Sequence, residues 1–177
     1  SCEFYDNKST SFGGGCAVGG WATPHFSDCS FHDNESEEGG GVSINYQTQA
    51  NFYNCTFRNN EALKSGGAAA NIGHCSGADS KFTDCLFEDN SAGDAGGALY
   101  ACYGDMEVIG SDLHGNTAQY GGGLAVYRDA NATVVATSIR GNSARHGGGV
   151  CLDVDAAFSG GLIEVTSVVL QDNTATL

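Results

Sequence analysis

The chain has 177 residues, with 21 Asp and Glu against seven Lys and Arg, a formal net charge of −14. That sign argues against DNA or RNA as a partner, because a phosphate backbone is bound through cations. An apolar content of 41% argues against disorder, and no apolar run approaches the roughly 18–20 residues of a membrane-spanning helix.

From the N terminus, the first element places Phe4 two residues after Cys2, then Asn7, then Gly13, Gly14 and Gly15. The same order returns as Phe26, Cys29, Phe31, Asn34 and Gly39 to Gly41. It returns again as Phe52, Cys55, Phe57, Asn60 and Gly66, Gly67, Ala68, and as Phe82, Cys85, Phe87, Asn90 and Gly96, Gly97, Ala98. The fifth and sixth units keep the pattern with other residues: Val108, Ser111, Leu113, Asn116 and Gly121 to Gly123, then Val134, Thr137, Ile139, Asn142 and Gly147 to Gly149. Val165, Val168, Leu170 and Asn173 close the series. The seven asparagines are spaced 27, 26, 30, 26, 26 and 31 residues apart.

A fixed period of this size marks a stacked-repeat architecture. The Cys and Phe columns differ by two residues and so share one face of a strand. No unit carries a helical apolar stripe. Each unit reads as about three short strands separated by bends, and one such unit buries almost nothing alone. Stacking the units buries a continuous column, which predicts an all-β parallel β-helix of about six to seven coils over 1–177. At one rung per coil it is roughly 30 Å long. The right-handed preference of parallel crossovers supports a right-handed coil.

Stacking assigns the columns. Phe4, Phe31, Phe57 and Phe87, with Cys2, Cys29, Cys55 and Cys85, form the core column. Asn7, Asn34, Asn60, Asn90, Asn116, Asn142 and Asn173 form a buried amide ladder, since a side-chain amide both donates and accepts. The glycine pairs allow tight turns. Eight cysteines without CxxC spacing favour an oxidising compartment. The column cysteines are either small buried hydrophobes or bridges between coils, and Cys75 with Cys102 is a candidate disulfide on adjacent coils. Asn7, Asn34, Asn54 and Asn131 head Asn-x-Ser/Thr sequons. With the first two in the ladder, Asn54 and Asn131 are the candidate glycan sites.

Four of these segments, such as Phe31-His32-Asp33-Asn34, are FxxN tetrads, and Gly96-Gly97-Ala98-Leu99 is GGA followed by a large aliphatic residue. Over nearly its whole length the chain resembles the repeats of the chlamydial polymorphic outer membrane proteins. Similar repeats occur in large surface proteins of algae and protists. The resemblance implies a right-handed β-helix, an extracellular or cell-surface location, and a role in adhesion or assembly; it identifies no ligand, and a carbohydrate or protein ligand is expected only as the partner of an adhesive surface.

The search for chemistry returns little. Polygalacturonase elements (NTD, a paired Asp, GHG, RIK) are missing. Arg58 sits in an FxxN turn, and Arg128, Arg140 and Arg145 are scattered over two coils. His25, His32, His74, His114 and His146 form no HxxxH pair and read as different phases, which disfavours zinc. Asp6 and Asp33 precede ladder asparagines, and stacked carboxylates there are either solvated or bridged by Ca²⁺. Two long intervals place insertions at 71–80 and 153–163, on one edge of the coil, where they are either plain surface loops or the place a binding surface would form. The chain starts and stops at repeat columns, so we expect a segment of a longer protein that stacks on further coils of its own chain or on neighbouring subunits. The function expected is non-enzymatic, in adhesion or as a structural part of an extracellular assembly. The alternative is a polysaccharide lyase or hydrolase with its cleft on the inserted edge.

Overall fold

Short alternating segments interrupted by Gly, Asp and Asn can only bury their apolar side by stacking on copies of themselves. In the computed structural model, which describes residues 1–73, 77–153 and 161–176, they do so as a parallel β-solenoid. The first coil contributes β1 (Glu3–Tyr5), β2 (Cys16–Val18) and β3 (His25–Ser27). The second contributes β4 (Ser30–His32), β5 (Glu35–Glu38), β6 (Val42–Asn45) and β7 (Gln49–Tyr53). Each of the next four coils adds one strand to each of four sheets, and Val169–Gln171 and Thr174–Ala175 add one more to the first and second. The first sheet, begun by β1 and β4, has seven strands; the second (from β5), third (β2 and β6) and fourth (β3 and β7) have six each. Strand pairs between coils are parallel and like residues fall opposite like, as Phe4 does Phe31 and Phe31 does Phe57.

Four strands per coil corrects the expectation of about three. The strand missed is the one following each ladder Asn. It is short and buries only small residues, such as Ser36, Ala62, Ala92 and Ala144. A single Ser or Ala leaves almost no hydrophobic signal to read.

Two facing aromatic columns run through the core, beside Val42, Ile44, Leu99, Leu124 and Val126 of the third sheet. Phe4, Phe31, Phe57 and Phe87 stack with ring centroids 4.6, 4.9 and 5.0 Å apart. Phe26, Phe52 and Phe82, from the fourth sheet, stack at 4.9 and 4.8 Å. Rings of the two columns meet edge to face, as Phe82 meets Phe87 at 5.4 Å. Both geometries suit the ring quadrupole. Beyond Phe87 the columns continue as Leu113 and Ile139, and as Val108 and Val134, all at most 1% exposed. In the first coil, whose outer side no coil covers in this structure, Phe4 is half-buried and packs against the core, while Cys2 is exposed, which corrects the place of Cys2 in the core.

The two glycines of each pair do different jobs. The first has positive φ, from 57° at Gly13 to 70° at Gly66, where it turns the chain into the third sheet. The second lies under the next coil: a Cβ on Gly97 would sit 2.3 Å from the Gly122 carbonyl oxygen. Backbone, not a movable side chain, fills the space a side chain would need.

Candidate functional site

The amide ladder runs through the corner after the first sheet. Asn34 Nδ2 donates to Asn60 Oδ1 at 2.9 Å and to the Phe4 carbonyl at 2.8 Å, and the Asn34 main-chain N–H donates to the same Asn60 oxygen at 3.2 Å. The pattern repeats through Asn60, Asn90, Asn116 and Asn142 to Asn173, with Nδ2 to Oδ1 distances of 2.9 to 3.0 Å. Asn34 to Asn142 are buried and fully hydrogen-bonded; Asn173 is half-buried. Asn7 donates to Asn34 Oδ1 at 2.9 Å but is exposed, a correction to its predicted burial with the same cause as at Phe4. A sugar on Asn34 would displace one of two engaged amide hydrogens, so its sequon cannot be occupied in this fold.

The cysteine column also carries hydrogen bonds. Cys2, Cys29, Cys55 and Cys85 are thiols, which corrects the bridged reading. Each buried one points its Sγ at the carbonyl two residues back: Cys29 at Ser27 O (3.2 Å), Cys55 at Tyr53 O (3.4 Å) and Cys85 at Thr83 O (3.3 Å). Ser111 and Thr137 continue the column and donate to the Ile109 and Val135 carbonyls at 3.0 and 2.9 Å. The shared property of Cys, Ser and Thr is therefore a short donor to a corner carbonyl. In-register neighbours hold their Cβ vectors side by side rather than toward each other, which opposes disulfide geometry. The hydrogen bond with Cys55, with burial, holds the Cys85 thiol above its usual range. The proposed partner of Cys102, Cys75, lies outside the described residues.

The residue before each ladder Asn is left-handed in every coil: Asp6, Asp33, Asn59, Asp89, Gly115, Gly141 and Asp172 have φ from 52° to 69°. Asp, Asn and Gly are the residues that tolerate this region. Conformation, rather than charge, accounts for the acidic run read there. The Asp33 carboxylate is taken by His32 Nδ1 at 2.7 Å, and this hydrogen bond holds its pKa below the usual carboxylate range. Among the described residues, no group of three His, Cys, Asp or Glu is arranged to hold a metal ion, so Asp6 and Asp33 gain no ligand set for calcium. Asn54, also left-handed at 49°, is exposed and donates to Asp28 Oδ1 at 2.7 Å; Asn131 is exposed and donates to Asp105 Oδ1 at 2.9 Å.

The first sheet presents a row missed in the sequence. Tyr5, His32, Arg58, Glu88, His114, Arg140 and Gln171 fall in one outward column. His32 and His114 thus share a phase, contrary to the reading above, as do Arg58 and Arg140. The signal was available as the position after each Phe, Leu or Ile of the core column. Its charges are paired: Glu88 faces Arg58 at 3.8 Å and His114 Nε2 at 3.0 Å within the column, and Arg140 binds Asp112 of the neighbouring column at 2.7 Å.

The corner between the third and fourth sheets differs from the others. It holds both insertions, of which 74–76 and 154–160 lie outside the described residues. Its left-handed positions carry Gly20 (φ 72°) and Gly77 (67°), and also Trp21 (59°), Tyr46 (46°), Tyr103 (62°) and Arg128 (57°). Trp21 is 78% and Tyr46 58% exposed. Arg128 donates to the Tyr103 hydroxyl at 2.6 Å and lies 5.0 Å from that ring's centroid. Asn71 takes an inward position otherwise held by Ile44, Ala101 and Val126, and its amide pins the longer third corner to the Ala78 and Asp105 carbonyls at 2.7 and 3.1 Å. Just beyond this corner, on the fourth sheet, a shallow groove of about 300 Å³ is lined by Gln49, Asn51, Asp79, Ser80, Lys81, Asp105 and others.

A family model described as a right handed beta helix region matches residues 1–118. No curated protein and no solved structure matches the chain.

Proposed function

The chain belongs to the right-handed β-helix family, and we propose from that premise that it serves as a non-enzymatic extracellular or cell-surface segment. Its work is adhesion, or stacking as a structural part of an extracellular assembly or filament. The observation that carries this reading is the unbroken amide ladder from Asn7 to Asn173, continuous over seven coils beside a stacked aromatic core. Such a ladder makes a stiff rod whose outer faces are free to vary, which is what a display or building element requires. The FxxN and GGA repeats, similar to those of polymorphic outer membrane proteins, support the surface location. The non-enzymatic reading is supported by Arg58 and Arg140, whose guanidinium groups face Glu88 and Asp112 in ion pairs.

The competing reading is a carbohydrate-active enzyme with its cleft on the inserted edge, near Arg128. One assay separates the two. The purified chain is incubated with acidic and neutral polysaccharides while reducing ends and unsaturated products are followed. Binding without turnover is the expected result. Robust turnover abolished by replacing Arg128, Arg140 or Arg145 overturns the proposal.

A further inference from the structure

Of the seven Lys and Arg, five hold a carboxylate of an adjacent coil, as Lys64 holds Glu37 and Arg140 holds Asp112, and Arg128 holds the Tyr103 hydroxyl. Among the described residues Arg145 holds neither, and it is exposed. It stands on the outward face of the second sheet, where charge is divided along the solenoid. In the second and third coils, Glu35–Glu38 and Glu61–Ser65 carry four carboxylates (Glu35, Glu37, Glu38 and Glu61) and one ammonium, Lys64. In the fifth to seventh, Thr117–Tyr120, Ser143–His146 and Thr174–Ala175 carry no carboxylate and one guanidinium, Arg145. Two outward columns run along this face. Glu61, Ser91, Thr117 and Ser143 form one; Leu63, Gly93, Gln119 and Arg145, two residues on, form the other. Leu63 is 63% exposed, and Glu61, also exposed, holds no ion pair among the described residues.

We propose that the second sheet is a self-association face, on which a second copy of this chain packs with its solenoid axis reversed. The two-fold axis runs parallel to the strands, level with the gap between the fourth and fifth coils. The inference rests on the assembly role proposed above and adds to it a contact beside the coil stack. This symmetry sets the third coil of each copy against the sixth of the other. Arg145 then lies over Leu63, its methylene stem on the leucine and its guanidinium within reach of Glu61. At the centre Gly93 faces Gln119 and Ser91 faces Thr117, so no like charges meet there. The contact is isologous, each copy giving one acidic and one basic end. Parallel packing would set the Glu61 end against its own copy and Arg145 against Arg145, which repel. The face measures roughly 30 Å by 14 Å, about 400 Å² a side and half of a standard interface, so the dimer is weak. The net charge of −14 on each copy opposes it, but at physiological ionic strength a Debye length of about 8 Å leaves the close pairs dominant.

Sedimentation equilibrium of the purified chain at physiological salt, carried to millimolar concentration, should show a reversible dimer. Arg145→Glu and Glu61→Arg should each weaken it at least about tenfold, as reversal of an interfacial charge does. Lys81→Glu makes the same change of net charge as Arg145→Glu, but on the exposed side of the fourth sheet, and should leave the dimer intact. Mixing the Arg145→Glu and Glu61→Arg chains should restore association as a heterodimer, because both contacts then join opposite charges. Only the reversed arrangement predicts that rescue. A chain that stays monomeric at millimolar concentration, a dimer that Arg145→Glu leaves intact, or two variants that fail to rescue each other overturns the face and leaves the non-enzymatic reading standing. Turnover in the polysaccharide assay overturns that reading and not the face.

Discussion

The first four coils and the coils after them share one backbone and are filled differently. Up to Phe87 the core columns are stacked phenylalanines beside thiols; beyond it they are Leu113, Ile139, Val108 and Val134 beside the hydroxyls of Ser111 and Thr137. The ladder asparagines and the first two glycines of each cluster do not change across that boundary. The difference separates two kinds of position. Some determine where the chain turns and how coils hold together, and tolerate one residue type. Others fill the space so defined, and tolerate any residue of suitable volume or hydrogen-bonding class.

The sharpest way to break this division is to attack the ladder on either side of the boundary. Asn90→Ala and Asn116→Ala should each cost about 4 kcal/mol in denaturant unfolding, because several buried donors and acceptors lose partners at once. Equal losses in the aromatic and aliphatic halves are expected; a small loss in either would show that packing, not the ladder, holds the coils. Next in size, Gly97→Ala should cost about 3 kcal/mol, because its Cβ meets the Gly122 carbonyl oxygen at 2.3 Å. Gly141→Ala, left-handed but with nothing within 4 Å, should cost about 1 kcal/mol. A reversed order in melting temperature would mean the coil spacing yields.

Replacement across the boundary tests the filling positions. Phe57→Leu, which imports the residue of the fifth coil, should cost about 1–2 kcal/mol, well short of the loss for a full truncation to Ala. Cys55→Ser should cost less than about 1 kcal/mol, since Ser111 already does the same work, and reductant should leave the unfolding curve of the parent unchanged. A strong reductant effect would restore a bridged column.

The smallest effect concerns pH. Asp33 is held below its usual range chiefly by the hydrogen bond from His32. A carboxyl depressed in the folded state contributes stability above its unfolded value, near pH 4, and loses that contribution as pH falls through the folded value. His32→Ala should therefore raise the Asp33 titration midpoint in an NMR titration, with little change in stability at neutral pH because both groups are solvent-accessible.

What was legible in the sequence follows the same division. Positions that recur in every coil, such as Asn60 and Gly66, announced the period and the fold. The second-sheet strand was not legible because Ala62 and Ala92 bury too little to stand out. The outward column of His32, Arg58, Glu88 and His114 was hidden by its variety: no residue type repeats at every rung. The acidic run at Asp6 and Asp33 was read through its charge, whereas a left-handed backbone selects Asp there for reasons unrelated to charge. The edge of Trp21 and Tyr46 was invisible, since its peculiarity lies in φ and not in composition.

The ladder amides all face one way. Each Oδ1 points back toward the preceding coil, and each receives donors from it. Aligned amide dipoles add along the stack as peptide dipoles add in a helix. The rod therefore has electrical polarity, slightly negative toward its first coil and positive toward its last. Reversing one rod against another would set like ends together, so any end-to-end joining has a built-in sense of direction.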